Sequence, residues 1–173
     1  LGHELSLKSK ATQGCKFTIM AERAEPLAIP APAPAFINVN FKDVTVLCID
    51  NDPDVLAGMV ELLATWQCTV FTADSYQSAA EIFDNHSTDI EILLVDYQLN
   101  NNEDGLTLIA NLRAQCHSYL PAILITATTD ANIDLKAAEA DVGFMRKLVK
   151  PGALRAMMSA MLAKRLQDNY LPK

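Results

Sequence analysis

Short apolar runs alternate with helical patterns along most of the chain. After residue 43 such runs recur about every 20 residues, and the segments between them carry apolar residues at helical spacing. This alternation is typical of parallel strands joined by helices that cover both faces of one sheet. We therefore predict an α/β domain at residues 43–166, built as a doubly wound five-stranded parallel sheet.

The predicted strands are nearly continuous apolar runs, as expected where helices cover both faces of a sheet. They span residues 44–49, 69–73, 90–95, 122–126 and 143–146. The first helix is predicted to begin at Asp52 and Pro53, which suit an N-cap and a first-turn proline. Further helices are predicted at about 75–85, 106–114 and 131–140, and a last one carries Leu154, Met157, Met158, Met161 and Leu162.

Residues 1–22 have a different pattern. Two short alternating runs, at 5–7 and 17–20, flank a turn-like segment at 11–14, which predicts a hairpin. Four prolines then lie among alanines between Pro26 and Pro34, which favours an extended polyproline II linker over residues 23–42. We expect a linker there, and a short tail at 167–173.

Composition restricts the functional classes. A formal net charge of −7 argues against nucleic-acid binding, because no clustered cations are available for phosphate backbones. The four cysteines lack the spacing of a metal site, so reduced thiols of a cytoplasmic protein are expected. No apolar stretch is long enough to span a bilayer, and no signal peptide precedes the hairpin. We expect a soluble chain without direct membrane contact.

Polar residues follow the predicted strands at the edge of the sheet where ligands of such folds bind. Strand one is followed by Asp50, Asn51 and Asp52, while the other strand ends supply Asp96, Thr126 and Lys147. Crowded carboxylates favour a hard divalent cation such as Mg²⁺. The hydroxyl and the ammonium group could contact a phosphoryl group, and one free Asp carboxylate could attack it in line. The predicted product is an aspartyl phosphate.

With these motifs the chain resembles the receiver domain of response regulators over residues 43–166. The segments that carry the resemblance are LCIDNDP, ILLVDYQL, ILITA and FMRKLVKPGAL. The resemblance implies a (βα)5 flavodoxin-like fold and a phosphorelay function. It implies roles for seven residues: Asp96 as phosphoacceptor, Asp50, Asn51 and the backbone carbonyl of Gln98 as further metal ligands, Thr126 and Phe144 as switch residues, and Lys147 as the phosphoryl contact.

Two departures from the family pattern accompany the resemblance. Asn51 stands where the family usually has a second carboxylate, which should weaken Mg²⁺ binding unless Asp50 or Asp52 compensates. Lys150 with its following proline is the literal match to the Lys-Pro pair, but spacing to Phe144 favours Lys147. Leu148 then replaces a proline whose bond is usually cis, and because a cis bond without proline costs about 2.5–4 kcal/mol, a trans bond is expected.

The N-terminal segment LGHELSLKSKATQGCKFTI resembles the last strands of the ATP-binding domain of sensor histidine kinases. The two resemblances together imply the C-terminal end of a bacterial hybrid histidine kinase without its nucleotide-binding motifs. His3 lacks the surroundings of a phosphorylated histidine. The implied partners are a histidine kinase dimerisation and phosphotransfer domain or a histidine phosphotransfer protein, and a weak homodimer is left open.

Two other functions remain as alternatives. Asp50 and Asp52 after an apolar strand also suit a haloacid dehalogenase-like phosphatase, although a late acidic pair and a cap insertion are missing and Asp96 would have no role. Asn51 and Leu148 instead motivate a pseudo-receiver, which would bind partners without being phosphorylated. The residues alone do not decide the phosphodonor, the pathway or the oligomeric state.

Overall fold

The computed structural model describes residues 4–10, 14–20, 39–99, 104–116, 118–128 and 130–170. His3, most of the predicted linker and the last three residues lie outside the described residues. The chain divides into two compact units, Leu1–Ala35 and Phe36–Lys173. Within the described residues no helix is long and apolar enough to cross a membrane.

The first unit contains the predicted hairpin strands. Strand β1 (Glu4–Lys10) pairs antiparallel with β2 (Gly14–Met20), with Lys10 opposite Gly14. Leu7 and Phe17 lie directly opposite each other and are 56% and 67% exposed. A two-stranded sheet that leaves such side chains in water has little core of its own. The hairpin prediction is confirmed.

The second unit is the predicted five-stranded parallel sheet. Its elements in chain order are β3 (Thr45–Ile49), α1 (Pro53–Thr65), β4 (Thr69–Ala73), α2 (Tyr76–His86), β5 (Ile92–Asp96), α3 (Gly105–Ala114), β6 (Ala122–Thr126), α4 (Ala131–Glu139), β7 (Gly143–Arg146) and α5 (Pro151–Tyr170). The strand order is β4-β3-β5-β6-β7, and every neighbouring pair is parallel. The change of winding direction at β3 places helices on both faces, which confirms the predicted fold class.

Alternate side chains of each strand enter two separate cores. On β3, Leu47 and Ile49 pack with α2, α3 and α4, whereas Val46 and Cys48 pack with α1 and α5. The first core contains Phe83, Leu108, Leu112, Ile133 and Ala137, and the second contains Met59, Leu63, Leu154, Met158 and Leu162. Because β3, β5 and β6 are buried on both faces, their carboxyl ends are held in fixed positions relative to one another.

Some boundaries differ from those predicted. The third strand was expected at 90–95 but spans Ile92–Asp96, because the amide of Ile90 still donates to the carbonyl of His86 in the turn after α2. At the ends of the domain, Phe41 is buried at 2% exposure and α5 continues to Tyr170. The packed residues of the second unit therefore begin before residue 43, and its last helix extends past residue 166.

Candidate functional site

Two buried carboxylates stand at the carboxyl ends of two adjacent inner strands, β3 and β5. Asp50 follows β3 and is 5% exposed, and Asp96 is the last residue of β5 and 6% exposed. The backbone amide of Asp50 donates to the carbonyl of Ala73, which extends the pairing with β4 by one residue. Because β3 and β5 are adjacent and in parallel register, the sheet itself brings the two acids together.

Lys147 connects the two acids. Its Nζ atom lies 2.8 Å from Oδ2 of Asp50 and 3.4 Å from Oδ2 of Asp96. The backbone holds this side chain in place, because the amide of Lys147 donates to the carbonyl of Thr126 at 2.8 Å. One ammonium group thus neutralises part of the charge of two buried carboxylates.

The pKa values reflect this arrangement. Burial raises the pKa of Asp96 and the negative charge of Asp50 raises it further, while Lys147 and the backbone amide of Gln98 act in the opposite direction. Burial alone would lower the pKa of Lys147, but its hydrogen bond with Asp50 and the charge of Asp96 together raise it. Lys147 is therefore a cation at neutral pH, and additional positive charge would favour the ionised form of Asp96.

An apolar surface beneath the carboxylates explains the strong effect of burial. A small cavity that Asp50 and Asp96 line is otherwise bounded by side chains of α1 and the central strands, among them Leu56, Leu94 and Ile125. Charges beside such a surface lose hydration and interact more strongly than they would in water. The site therefore favours a bound cation that completes its charge balance.

Thr126 and Phe144 lie on neighbouring strands next to this pair of acids. Thr126 is fully buried at the end of β6, and its Oγ1 accepts a hydrogen bond of 3.1 Å from the amide of Thr128. Phe144 on β7 is paired with Leu124 and packs partly buried against the core that includes α4. The structure thus brings Thr126 to the same sheet edge as Asp96. Phe144 lies on β7 two residues before Arg146, the residue that pairs with Thr126.

Asn51, Asp52 and Gln98 are more exposed than the acids. Asp52 caps α1, because its Oδ1 accepts hydrogen bonds from the amides of Asp54 at 2.9 Å and Val55 at 3.4 Å. Its own amide donates to Oδ1 of Asp50. Gln98 follows β5 and pairs with Asp104 in an isolated antiparallel bridge. Asp52 is consequently engaged in capping, which disfavours it as a substitute metal ligand.

The donor set fits a hard divalent cation. Within the described residues no three His, Cys, Asp or Glu side chains are arranged to hold a metal. The two carboxylates of Asp50 and Asp96 with the carbonyl of Gln98 would supply only oxygen, and Mg²⁺ accepts few protein oxygens when water completes its octahedron. The raised pKa of Asp96 shows the same need for positive charge. These residues fit Mg²⁺, with two carboxylates rather than three.

The loop after β7 corrects one expectation. The peptide bond between Lys147 and Leu148 is cis, so the expected trans bond was wrong. That expectation counted only the local preference of the bond, whereas Lys147 is also held by the carbonyl of Thr126 and the carboxylate of Asp50. Lys150 is exposed, and Leu148 is 95% exposed. The structure brings Lys147, and not Lys150, to the acids.

Gly105 is a residue of the site that sequence reasoning missed. It begins α3, and its amide donates to the carbonyl of Tyr97 at 2.8 Å. A Cβ atom added to Gly105 would lie 2.3 Å from the carbonyl oxygen of Asp96. Only glycine allows α3 to approach the end of β5 so closely. A glycine directly after the helix-capping Asp104 was the available signal.

Comparison with known proteins identifies the family of this chain. The family model described as the response regulator receiver domain matches residues 46–162. The chain belongs to this family. Comparison with curated proteins gives no significant match.

Three solved structures illustrate the likeness. A receiver domain from Clostridium thermocellum is 22% identical, with a TM-score of 0.63, over 72% of this chain and 98% of the other. The beryllofluoride-activated receiver domain of RstA from Klebsiella pneumoniae is 22% identical, with a TM-score of 0.60, over 68% and 97%. A CheY in complex with CheX, beryllofluoride and magnesium from Borrelia burgdorferi is 19% identical, with a TM-score of 0.60, over 69% and 90%.

Membership of the receiver family argues against one of the two alternatives, the haloacid dehalogenase-like phosphatase. A haloacid dehalogenase-like phosphatase would use Asp50 as its nucleophile, yet Asp50 accepts a hydrogen bond from Lys147 and another from the amide of Asp52. The match of residues 46–162 to the receiver family model favours the receiver over this alternative. The receiver assignment leaves Asp96 as the remaining acid of the site.

Proposed function

We propose that this receiver domain accepts a phosphoryl group on Asp96. The observation that carries the proposal is the burial of Asp96 and Asp50 at adjacent strand ends with Lys147 between them. Such an arrangement costs stability unless it serves binding or chemistry, because like charges repel in a poorly hydrated site. A phosphoryl group at Asp96 would be surrounded by the donors that the neighbouring strands supply.

The transfer begins with an oxygen of the Asp96 carboxylate attacking phosphorus of a phosphohistidine. The phosphorus–nitrogen bond breaks, its electron pair returns to the imidazole, and the imidazole takes up a proton, so that an aspartyl phosphate and a neutral histidine result. Lys147 would hold one phosphoryl oxygen as a point charge, and the hydroxyl of Thr126 would donate to another. Mg²⁺ bound by Asp50, Asp96 and the Gln98 carbonyl would supply the remaining neutralising charge.

The switch follows from recruitment of Thr126. Its Oγ1 now accepts from the amide of Thr128, and turning its hydroxyl toward Asp96 would release that amide and the loop before α4. Phe144 would then turn inward into the vacated space. The surface formed by α4, β7 and α5 changes, which is a population shift between two states driven by a local charge.

The phosphodonor is proposed to be a histidine kinase dimerisation and phosphotransfer domain or a histidine phosphotransfer protein. Placement of this chain at the C-terminal end of a bacterial hybrid kinase rests on the resemblance of residues 1–22 to the end of a kinase ATP-binding domain. The antiparallel pairing of β1 and β2 is compatible with that resemblance. A cytoplasmic location accompanies this proposal.

The test uses beryllofluoride, which mimics a phosphoryl group on a carboxylate. Wild type and Asp96→Asn are titrated with Mg²⁺ and beryllofluoride while the backbone amide resonances of Thr126 and Phe144 are followed. Trp66 is a poor reporter, because it caps the end of α1 opposite the site, about 20 Å from the first turn. Shifts confined to wild type support the proposal, and equal shifts in both proteins contradict it.

A phosphorylation-independent interaction module is the second candidate. Asn51 favours it, since it replaces a carboxylate, and so does Lys147, which already neutralises Asp50 at 2.8 Å. In that case wild type should bind neither millimolar Mg²⁺ nor beryllofluoride. A response of the Asp96 amide to Mg²⁺ alone would rule it out.

A further inference from the structure

A group of polar contacts outside the site lies at the C-terminal end of α4. The guanidinium group of Arg113, on α3, donates to three backbone carbonyls: Leu120 at 2.8 Å, Ala140 at 2.7 Å and Asp141 at 3.0 Å. Ala140 is the C-cap of α4, where carbonyls have no partner within the helix. Arg113 therefore satisfies the end of α4 from a neighbouring helix.

The same end of α4 is also held from α5. Lys164 forms an ion pair with the carboxylate of Asp141, which lowers the pKa of Asp141 against the opposing effect of its partial burial. The ring of Tyr119 contacts both cations, with its centroid 5.4 Å from the guanidinium carbon of Arg113 and 5.0 Å from Nζ of Lys164. Two helices and the segment before β6 thus converge on the turn that follows α4.

The first turn of α4 has contacts of another kind. Its capping residue Asp130 accepts from the amide of Asn132 at 2.9 Å, and Asp134 accepts from the amide of Leu135 at 2.8 Å, so these bonds stay within the helix. Ile133 and Ala137 supply its buried apolar contact, while Leu135 is 63% exposed. Among the described residues, the polar contacts that other elements make with α4 and its following turn lie at the C-terminal end, and the contacts before it are mainly apolar.

We infer that Arg113 is a positioning residue that clamps the C-terminal end of α4, so that this helix moves about that end. The first turn of α4 follows the loop that carries Thr128, which the switch hydroxyl of Thr126 contacts. A movement that begins at Thr126 therefore reaches the first turn of the helix before the end that Arg113 holds. Use of the movement as a switch rests on the proposed function, whereas the clamp exists in the resting protein.

Hydrogen exchange of the full chain tests the clamp without any phosphodonor. The amides of Ala140, Asp141 and Val142 bond to carbonyls of the last turn of α4 and report on this end directly. In Arg113→Met their exchange should accelerate on the order of tenfold relative to wild type, since three carbonyls lose their donor. Arg113→Lys keeps the charge but not the planar fork, so it should restore only a small part of the protection.

Arg165→Met is a matched control. Arg165 also donates from a helix to two backbone carbonyls, Glu91 at 2.7 Å and Ile90 at 3.3 Å, but these lie before β5. It should leave exchange at residues 140–142 unchanged. Equal acceleration of exchange at residues 140–142 in both variants would mean global destabilisation and would overturn the inference. Amide exchange in wild type that is faster at residues 140–142 than at residues 132–135 would also overturn it.

Beryllofluoride with Mg²⁺ then tests the movement. In wild type, amide shifts should be large at residues 132–135 and small at 140–142, and in Arg113→Met they should extend to 140–142. Large wild-type shifts at residues 140–142 would contradict the pivot. If wild type does not respond to beryllofluoride at all, the proposed phosphoacceptor function fails, and the exchange comparison still decides whether Arg113 clamps the helix.

Discussion

Lys147 donates to Asp50 across 97 positions of sequence, at 2.8 Å between Nζ and Oδ2. The same ammonium group lies 3.4 Å from Asp96, so it is shared unequally between two buried acids. It is closer to Asp50 than to Asp96, the acid that would be phosphorylated. A cation or a phosphoryl group that enters the site must therefore compete with, or redirect, this contact.

Replacing Lys147 by methionine should raise the pKa of Asp96 further. The charge of Lys147 now opposes the effects of burial and of Asp50, and methionine preserves most of the side-chain volume without the charge. Beryllofluoride affinity should fall at least about tenfold, since a point-charge contact to the phosphoryl group is lost. Titration of the Asp96 carboxyl carbon by NMR and a beryllofluoride titration measure the two effects.

Lys150→Met is the matched control for this prediction. Lys150 has the same charge, lies three positions away and is exposed. It should leave the Asp96 titration and beryllofluoride binding almost unchanged. An effect of Lys150→Met that equals that of Lys147→Met would show that net charge, and not the contact at 2.8 Å, controls the site.

Asp96→Asn should stabilise the fold at neutral pH. Because the pKa of Asp96 is raised in the folded protein, the folded state binds its proton more tightly than the unfolded state does. The contribution of this group to stability is therefore present below the ordinary value of 3.8 and lost as pH rises through the raised value. Removing the charge should increase the free energy of unfolding by about 0.5–2 kcal/mol at neutral pH.

Urea unfolding at several pH values checks both the sign and its pH dependence. The gain from Asp96→Asn should shrink toward zero as pH falls to the ordinary aspartate value of 3.8. Asp84→Asn, at an exposed position on α2, should change stability little at any pH. A destabilised Asp96→Asn at neutral pH would mean that the Lys147 contact outweighs burial and the repulsion by Asp50.

Sequence reasoning found the parts of the site that topology alone determines. Asp50, Asp96 and Lys147 each follow a predicted strand and Thr126 ends one, and the carboxyl ends of parallel strands meet at one edge whatever the side chains are. The sequence pattern could not predict the distances between helices and strands. Gly105 matters only because α3 approaches the carbonyl of Asp96, and Arg113 only because α4 ends beside it. Such contacts depend on how helices pack, which no local pattern of the chain encodes.

Gly105→Ala should damage both stability and phosphoryl binding. Its Cβ would lie 2.3 Å from the Asp96 carbonyl oxygen and 3.0 Å from side-chain atoms of Val95 and Leu124. Because these neighbours belong to central strands, α3 or the end of β5 must shift, at a cost of about 1–3 kcal/mol. Chemical unfolding gives the stability loss, and the beryllofluoride titration shows whether Asp96 has moved.

Gly58→Ala separates this effect from the general effect of alanine in a helix. Gly58 lies within α1, and a Cβ there would meet nothing within 4 Å. That variant should be more stable than wild type by about 0.4–1 kcal/mol, because alanine restricts the unfolded chain. Unfolding curves in which both variants change stability in the same direction would contradict the proposed close approach of α3.

Asn51→Asp should strengthen Mg²⁺ binding. The two carboxylates of Asp50 and Asp96 form the acidic part of the site, and a third at position 51 adds the charge that the family usually has. An increase in affinity of about tenfold, or ~1.4 kcal/mol, is expected from one more carboxylate ligand.

Asp52→Asn provides the contrast, because Asp52 caps α1 through the amides of Asp54 and Val55, and asparagine caps nearly as well. Titration of the Asp96 amide resonance with Mg²⁺ measures the Mg²⁺ affinity of both variants. The affinity should rise strongly in Asn51→Asp and fall much less in Asp52→Asn. Opposite changes of equal size would indicate that the site responds to total charge and not to a particular ligand.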